Sequence, residues 1–305
     1  MKAPTDRRQF LKTIAEGGVI LGAGTLAGPT WAFASTQPKI GLQLYTVRDD
    51  LKKDLDGTLR AVAAIGYREV ETAPDETPAK TLAAALSANG LSTPSGHCAT
   101  FHVAEQPDTM IERTKTLGQK FLICAWPQGL DANLHCDRSR DSHKLTMDDF
   151  RRHAELFNRF GEQCRKAGIQ FGYHNHNFEF REQGGVIPYD DLLQRTDAKL
   201  VKLEVDCYWV SRAGKDPVDF LRKYGDRIQL LHIKDMKPVS APAFDTETGG
   251  DAFTEVGTGT IGWRRIFDEA GKTGVRYAFI EQDKCARPPV ESARMSYENL
   301  QKLLQ

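Results

Sequence analysis

The sequence lacks an excess of charge of either sign: 41 lysines and arginines stand against 41 aspartates and glutamates in 305 residues. A neutral chain has no field to attract a polyanion, which argues against nucleic acid as its natural partner. Cysteine is sparse, and none of the six (98, 124, 136, 164, 207 and 285) falls in a CxxC pair or at tight zinc-ligand spacing. A thiol redox motif and a cysteine zinc site are thereby excluded. Several of these cysteines sit in apolar runs, "FLICAW" and "VDCYW", where buried free thiols are expected. No apolar run beyond residue 34 is long enough to cross a bilayer. No Gly-rich phosphate loop follows the first apolar strand, which continues "LQLYTVRDDL", and no linker divides the chain into further domains.

The first 34 residues read separately from the rest. Arg7 and Arg8 precede Phe10, Leu11 and Lys12 in "TDRRQFLK", the Gly-rich run "GGVILGAGTLAG" follows, and "AFA" (32–34) closes the segment. The pattern resembles a twin-arginine export signal. A membrane-anchoring helix fits less well, because the apolar stretch is short, Gly-rich and closed by Pro29. The resemblance implies the twin-arginine export machinery as a partner, cleavage near Ala34, a periplasmic location and no stable membrane association. That route carries proteins already folded in a reducing compartment, which suits free thiols. The leader holds four basic and two acidic residues, so residues 35–305, a single catalytic domain of 271 residues, carry a net charge of −2. A homo-oligomer is compatible with this surface.

Residues 35–305 alternate between two patterns. Apolar runs that read as strands are "KIGLQLY" (39–45), "EVETA" (69–73), "LSTPSGH" (91–97), "KFLICAW" (120–126), "IQFGYHN" (169–175), "LVKLEVD" (200–206), "IQLLHIK" (228–234) and "YAFIEQD" (277–283). Helical periodicity fills segments between them, as in 57–67 and 150–168. "AIGY", "KAGI" and "KTGV" end helices with glycine and turn into the next strand. Eight strand–helix repeats predict an α/β fold, a single (β/α)8 TIM barrel of about 250 residues. A doubly wound open sheet is the alternative, and it would carry the Gly-rich loop that is missing. The Gly-, Thr- and Pro-rich segment 237–263 predicts a loop or lid over one face.

In parallel barrels the active site lies where strands end. Four consecutive strands here end in ligand-type residues: "YHNH" with His174 and His176, "LEVD" with Asp206, "LLHIKD" with His232, Lys234 and Asp235, and "FIEQD" with Glu281 and Asp283. Alternate residues of a strand share a face, so His174 and His176 aim at one place. Carboxylates on apolar strands are costly unless paired, hydrogen-bonded or metal-bound, and imidazole with carboxylate is a set suited to a divalent ion. Each residue also has a structural reading. Asp206 could cap the next helix, Asp235 could start a loop, Glu204 could sit deeper in the barrel, His97 could belong to the core, and Lys234 could pair with Glu204 or Asp206.

"GLQLYTVRD", "YHNHNFEF", "LEVDCYW", "LLHIKDM" and "FIEQD" together resemble the sugar phosphate isomerase/epimerase family, the xylose-isomerase-like barrels that include inosose dehydratase. The resemblance covers nearly all of residues 35–305. It implies one divalent cation, commonly Mn²⁺ with Mg²⁺, Co²⁺ or Zn²⁺ as alternatives, and a small carbohydrate bound through vicinal oxygens. It also implies His174, Asp206, His232 and Glu281 as metal ligands. Where ketose 3-epimerases of the family carry a strand-five glutamate, this chain has His174, which removes one of two opposed carboxylate bases.

The expected chemistry is proton removal beside a metal-polarised carbonyl, giving an enediolate that reprotonates or eliminates a β-oxygen. Glu281 is the expected base, with His176, Lys234 and Glu179 as further proton-transfer candidates and His97, Tyr45, Trp209 and Asp235 as substrate-binding candidates. A cation beside Lys234 would lower its pKa. Isomerase or epimerase action on a free sugar is the main expectation and β-elimination from a 3-keto sugar, 3-keto-glycoside or inosose the alternative. A metallo-hydrolase would place its H-x-H on the first strand, and a non-catalytic sugar-binding barrel would need neither Glu281 nor Lys234. Changing Arg7 and Arg8 to Lys is expected to strand unprocessed protein in the cytoplasm. Normal periplasmic yield of that double variant, measured by fractionation and immunoblot, would refute the export reading.

Overall fold

The computed structural model describes residues 37–73, 77–140 and 142–305; the expected export signal, residues 1–34, lies outside them. All eight expected strands form: β1 Lys39–Gln43, β2 Glu69–Thr72, β3 Ser92–Ala99, β4 Phe121–Trp126, β5 Gln170–His174, β6 Val201–Asp206, β7 Ile228–Ile233 and β8 Tyr277–Ile280. They close into one parallel barrel, each strand beside its neighbours in chain order and β8 returning to β1. The return to the same direction is made by eight helices: α1 Leu55–Ile65, α2 Ala79–Ala88, α3 Pro107–Thr116, α4 Met147–Lys166, α5 Pro188–Arg195, α6 Pro217–Tyr224, α7 Trp263–Ala270 and α8 Pro289–Leu304.

Local sequence sets the helix ends. At the start of α4, Thr146 Oγ1 accepts from the Asp149 amide at 3.3 Å, and the Asp149 carboxylate accepts from the Thr146 amide at 2.9 Å. Its buried face, Phe150, His153, Phe157, Phe160 and Cys164, recurs at three- and four-residue spacing. Gly168 (φ 76°) and Gly66 (φ 124°) turn the chain out of α4 and α1 in a conformation that L side chains avoid. "KTGV" differs from this expectation: α7 stops at Ala270, and Gly274 is not among the left-handed glycines.

The barrel interior is layered. Phe121, Ile123, Leu230 and Phe279 fill its lower part, where a Cβ on Gly41 would come within 2.6 Å of the Phe279 ring. Above them the inward positions turn polar, with Gln43, Glu71, His174, Glu204 and His232 all buried. The β1–β8 seam is tied at the top as well: the Gln282 amide donates to Thr46 Oγ1 at 3.1 Å, and Arg48 donates to the Asp283 carbonyl at 3.0 Å.

The segment after β7 is a packed cap, where the sequence suggested a loop or lid. Asp235–Met236 pairs antiparallel with Phe253–Thr254, and Phe253 stacks on Tyr208 at 4.3 Å. Asp235, expected to bind substrate, is buried at the base of this cap. Its carboxylate accepts from the amides of Met236, Gly257, Gly259 and Ile261 and from the Trp263 indole at 2.8–3.2 Å. Buried Arg212 donates to the carbonyls of Ala241 and Gly249 and fixes the cap from the other side. All six cysteines are free; Cys98, Cys124, Cys164 and Cys207 are buried and Cys136 and Cys285 half-buried.

His153 on α4 is a core histidine. Its Nδ1 lies 2.8 Å from the Asp149 carbonyl and its Nε2 3.0 Å from Thr100 Oγ1. Burial lowers its pKa from 6.5 to about 4. The unfolded chain therefore binds a proton between pH 6.5 and 4 that the folded chain refuses, so stability falls as pH drops through that window. About 3 kcal/mol is at stake. His153→Gln should flatten the pH dependence of urea unfolding between pH 7 and 4 relative to the unmodified protein; an unchanged slope would contradict the assignment.

Candidate metal centre and its cavity

The ends of β6, β7 and β8 bring Asp206, His232 and Glu281 together, with one possible donor atom from each lying within 4.8 Å of the others. Asp206 Oδ1 accepts from the Trp209 amide at 3.0 Å and caps the short helix Cys207–Arg212. The capping reading is thus correct for one oxygen. The other, Oδ2, is buried without a hydrogen bond and faces Lys234 Nζ at 3.1 Å and His174 Nε2 at 3.6 Å. His232 Nδ1 lies 2.9 Å from Glu281 Oε2 and 3.9 Å from Asp206 Oδ2. His174, the fourth expected ligand and the last residue of β5, does not join that group: its donor atoms gather with those of His97, Glu204 and His232, and it touches the first group through Asp206 at 3.6 Å.

A second tier of carboxylates lies below. Glu204 Oε2 is 2.9 Å from His174 Nδ1, 2.7 Å from His97 Nε2 and 3.4 Å from His232 Nε2. Glu71 Oε2 is 2.7 Å from His232 Nε2 and 3.0 Å from His97 Nε2, and it accepts from Gln43 Nε2 at 2.8 Å. His174 and His232 each rest one ring nitrogen on a carboxylate and turn the other toward Asp206. That is how metal-binding imidazoles are oriented and made more basic.

The electrostatics follow from burial. Burial and the neighbouring Glu71 push Glu204 up to about 7, against the pull of His232 and His97. Burial would also raise Glu71, but His97 and His232 outweigh it and hold it well below the usual range. Burial disfavours the charged form of His97, yet Glu71 and Glu204 bring it up to about 9. His174 goes the other way: burial, then His232 and His97, hold it well below 6.5. A neutral imidazole in that place keeps a lone pair to donate.

Lys234 lies 2.7 Å from Glu281, 2.9 Å from Asp283 and 3.1 Å from Asp206. Burial and these three carboxylates set its pKa. Burial lowers it, but Asp206, Asp283 and Glu281 together hold it well above 10.5. It pairs with Asp206, and it makes no ion pair with Glu204 among the described residues. Asp206 Oδ2, which faces Lys234, His174 and His232 together, and the mixed imidazole and carboxylate donors fit a divalent ion of nitrogen and oxygen preference.

Over this centre opens a cavity of about 380 Å³, lined among others by Tyr45, His97, Trp126, His176, Lys234 and Asp283. Tyr45 and His97 are where the sequence placed them, although both ring nitrogens of His97 are engaged from below. His176 lies two residues past β5 with its ring 5.2 Å from that of His174, stacked on Phe178 at 5.5 Å and met edge-on by Trp126 at 5.0 Å. Burial and the nearby Lys234 hold His176 well below 6.5, and its Nδ1 has no hydrogen-bond partner.

Two further candidates are placed elsewhere. Trp209 does not line the cavity; it is buried behind His176 and Lys234. Glu179 is fully buried under the β5 loop, where it accepts from Tyr173 Oη at 2.6 Å and from the His176 amide at 2.9 Å, and it does not line the cavity either. Sequence reasoning missed Glu71, Gln43 and Trp126, and gave Asp283 no role. Glu71 in "EVETA" and Trp126 in "FLICAW" both stand at strand ends, the same signal that exposed the later strands.

The chain is a parallel barrel whose strand ends gather imidazoles and carboxylates beneath a cavity, and comparison with known proteins gives the family of that barrel. The chain belongs to the xylose isomerase-like TIM barrel family, whose model matches residues 59–303. It is 29% identical over 189 residues to inosose dehydratase of Lacticaseibacillus casei, covering 58% of this chain and 62% of that protein. It is 30% identical over 171 residues to inosose dehydratase of Geobacillus kaustophilus, covering 53% and 55%. The chain thus spans about three fifths or less of the curated relatives it matches. A sugar phosphate isomerase/epimerase from Parabacteroides distasonis is similar in structure, with a TM-score of 0.66, 26% identity and coverage of 88% of this chain and 96% of that one. The IolI protein with a bound zinc atom shares the fold, with a TM-score of 0.64 at 13% identity and coverage of 87% and 98%.

Proposed function

We propose that the protein is a metal-dependent enzyme that removes a proton beside the carbonyl of an unphosphorylated sugar or related polyol and interconverts isomers or epimers through an enediolate. The observation that carries this reading is the meeting of Glu281 and Lys234, 2.7 Å apart, beside a histidine–carboxylate cluster at the buried end of the cavity. His174, Asp206, His232 and Glu281 are the proposed ligands of one divalent ion, Mn²⁺ first. Such an ion, when bound, polarises a carbonyl and offsets charge developing on its oxygen.

The chain's own groups would divide the proton work. Burial would raise Glu281, but Lys234 and His232 outweigh it and keep the carboxylate ionised, the form a general base needs, while weakening its basicity. Lys234 beside it can return a proton or steady a developing oxyanion. His176, held neutral with a free Nδ1, is the remaining exchangeable site. Among the described residues, Lys234 is the one lysine or arginine lining the cavity, and three carboxylates already surround it. A phosphate would find no cradle there, which supports an unphosphorylated substrate.

A second reading, β-elimination, is favoured by the inosose dehydratases among the relatives. A base and an acid 2.7 Å apart act on one face of a ring, which suits loss of a proton and a β-hydroxyl from that face. Periplasmic export is proposed on the leader sequence alone.

Replacing Asp206 or Glu281 with Ala should remove bound metal and turnover while leaving a folded barrel. His174→Ala should lose metal, and His176→Ala mainly turnover. Stoichiometric metal by mass spectrometry in the Asp206 and Glu281 variants would show the ligand set to be wrong. In deuterated water, isomerisation or elimination should outrun ketohexose 3-epimerisation by at least about tenfold, a barrier difference of roughly 1.4 kcal/mol. Rapid fructose 3-epimerisation with full deuterium at the inverted carbon, followed by NMR, would require a second base and sink this reading.

A further inference from the structure

The cavity has two ends of opposite character. Its buried end presents His174, Lys234 and Glu281, whereas Tyr45 and Trp126 stand at its mouth with three half-exposed alanines. Among the described residues only four large apolar side chains are exposed, and these two, at 41% and 38%, are the aromatic ones. They belong to β1 and β4 loops, three strands apart around the barrel. A single exposed apolar residue means little, but two aromatic rings facing one cavity make a recognition surface.

Neither ring is loosely held. The Arg48 guanidinium lies 4.0 Å from the centre of the Tyr45 ring while donating to the Tyr45 carbonyl at 2.7 Å and the Asp283 carbonyl at 3.0 Å. One face of Tyr45 is thus covered by a fixed cation, and the ring still keeps its exposure. Trp126 makes edge contacts with His176 at 5.0 Å and Phe178 at 6.4 Å, and its carbonyl lies 3.3 Å from Thr100 Oγ1. His153, packed beneath Thr100, anchors that hydroxyl in turn. Pre-positioned aromatic faces bind flat apolar surface with little loss of side-chain freedom.

An open-chain polyol held through its oxygens at the buried end offers such faces nothing. The cavity, about 380 Å³, is within the roughly 300–1,000 Å³ range of sites that enclose a drug-sized ligand. We infer that the substrate is a glycoside: its reacting sugar ring sits over the histidine–carboxylate centre, and the group on its glycosidic oxygen, a second pyranose or an aryl ring, stacks at the mouth against Tyr45 and Trp126. The inference rests on the sugar reading above and narrows it.

The test is a binding titration of the whole metal-loaded protein by calorimetry. The probes are glucose, galactose and mannose, their phenyl glycosides and a disaccharide of each, all also in 3-keto form. For the configuration that binds, the phenyl glycoside or disaccharide should bind at least tenfold more tightly than the free sugar. The phenyl and disaccharide arms tell an aryl partner from a second sugar. Trp126→Ala and Tyr45→Ala should each cut glycoside affinity at least fivefold more than free-sugar affinity, and Trp126→Phe should restore most of the difference. Equal affinity for free sugar and glycosides, or a glycoside advantage that survives both alanine variants, would overturn the inference while leaving the sugar reading intact. No binding by any member of the panel would overturn both.

Discussion

Everything at the top of this barrel depends on how buried negative charge is neutralised. Glu71, Glu204, Asp206 and Glu281 are withdrawn from water in a space a few ångströms across. Each buried ion costs several kcal/mol unless compensated by well-placed partners. His97, His232 and Lys234 supply that compensating charge, neutral His174 adds a hydrogen-bonding partner, and the arrangement is tiered. His97 shares the two lower glutamates, His174 and His232 bridge the tiers, and Lys234 joins the upper carboxylates. The apolar plug of Phe121, Ile123, Leu230 and Phe279 closes the space from below, so no water from that side can share the load.

That arrangement explains how a family fold with several chemistries remains structurally uniform. The lower tier sets ring orientation and charge, and the upper tier faces the cavity. The presence of both epimerase-like and dehydratase-like relatives is in keeping with such a division, because proton removal beside a carbonyl is common to both outcomes. In this chain the cavity wall beside the carboxylates is formed by His176, Lys234 and Asp283.

The fold was legible because strand and helix periods alternate eight times without a break, and each period leaves a local signature. "IQLLHIK" and "FIEQD" showed the site because a charged residue ending an apolar run is conspicuous. Legibility failed where position depends on chains meeting in space. Nothing local distinguishes Asp235, whose carboxylate gathers backbone amides from a loop more than twenty residues ahead, from Asp206, which turns one oxygen to Lys234 and the histidines. Glu179 follows "HNHNF" as if to join the histidines, yet the 3₁₀ turn Phe178–Phe180 carries it under the loop to Tyr173. Glu71 stayed hidden because its strand is short and its partner, His232, lies 161 residues away.

The seam between the first and last strands has a consequence for how the protein comes into being. Arg48 reaches Asp283 across 235 positions of sequence, and Thr46 receives the amide beside Glu281. The floor and wall of the cavity are therefore joined only when the two ends of the barrel meet, a contact of high loop-closure cost that forms late. An open sheet would already carry β5 to β8 side by side, but His232 reaches Glu71 only once the sheet has curled shut. Closure of the barrel therefore completes the support beneath the upper carboxylates.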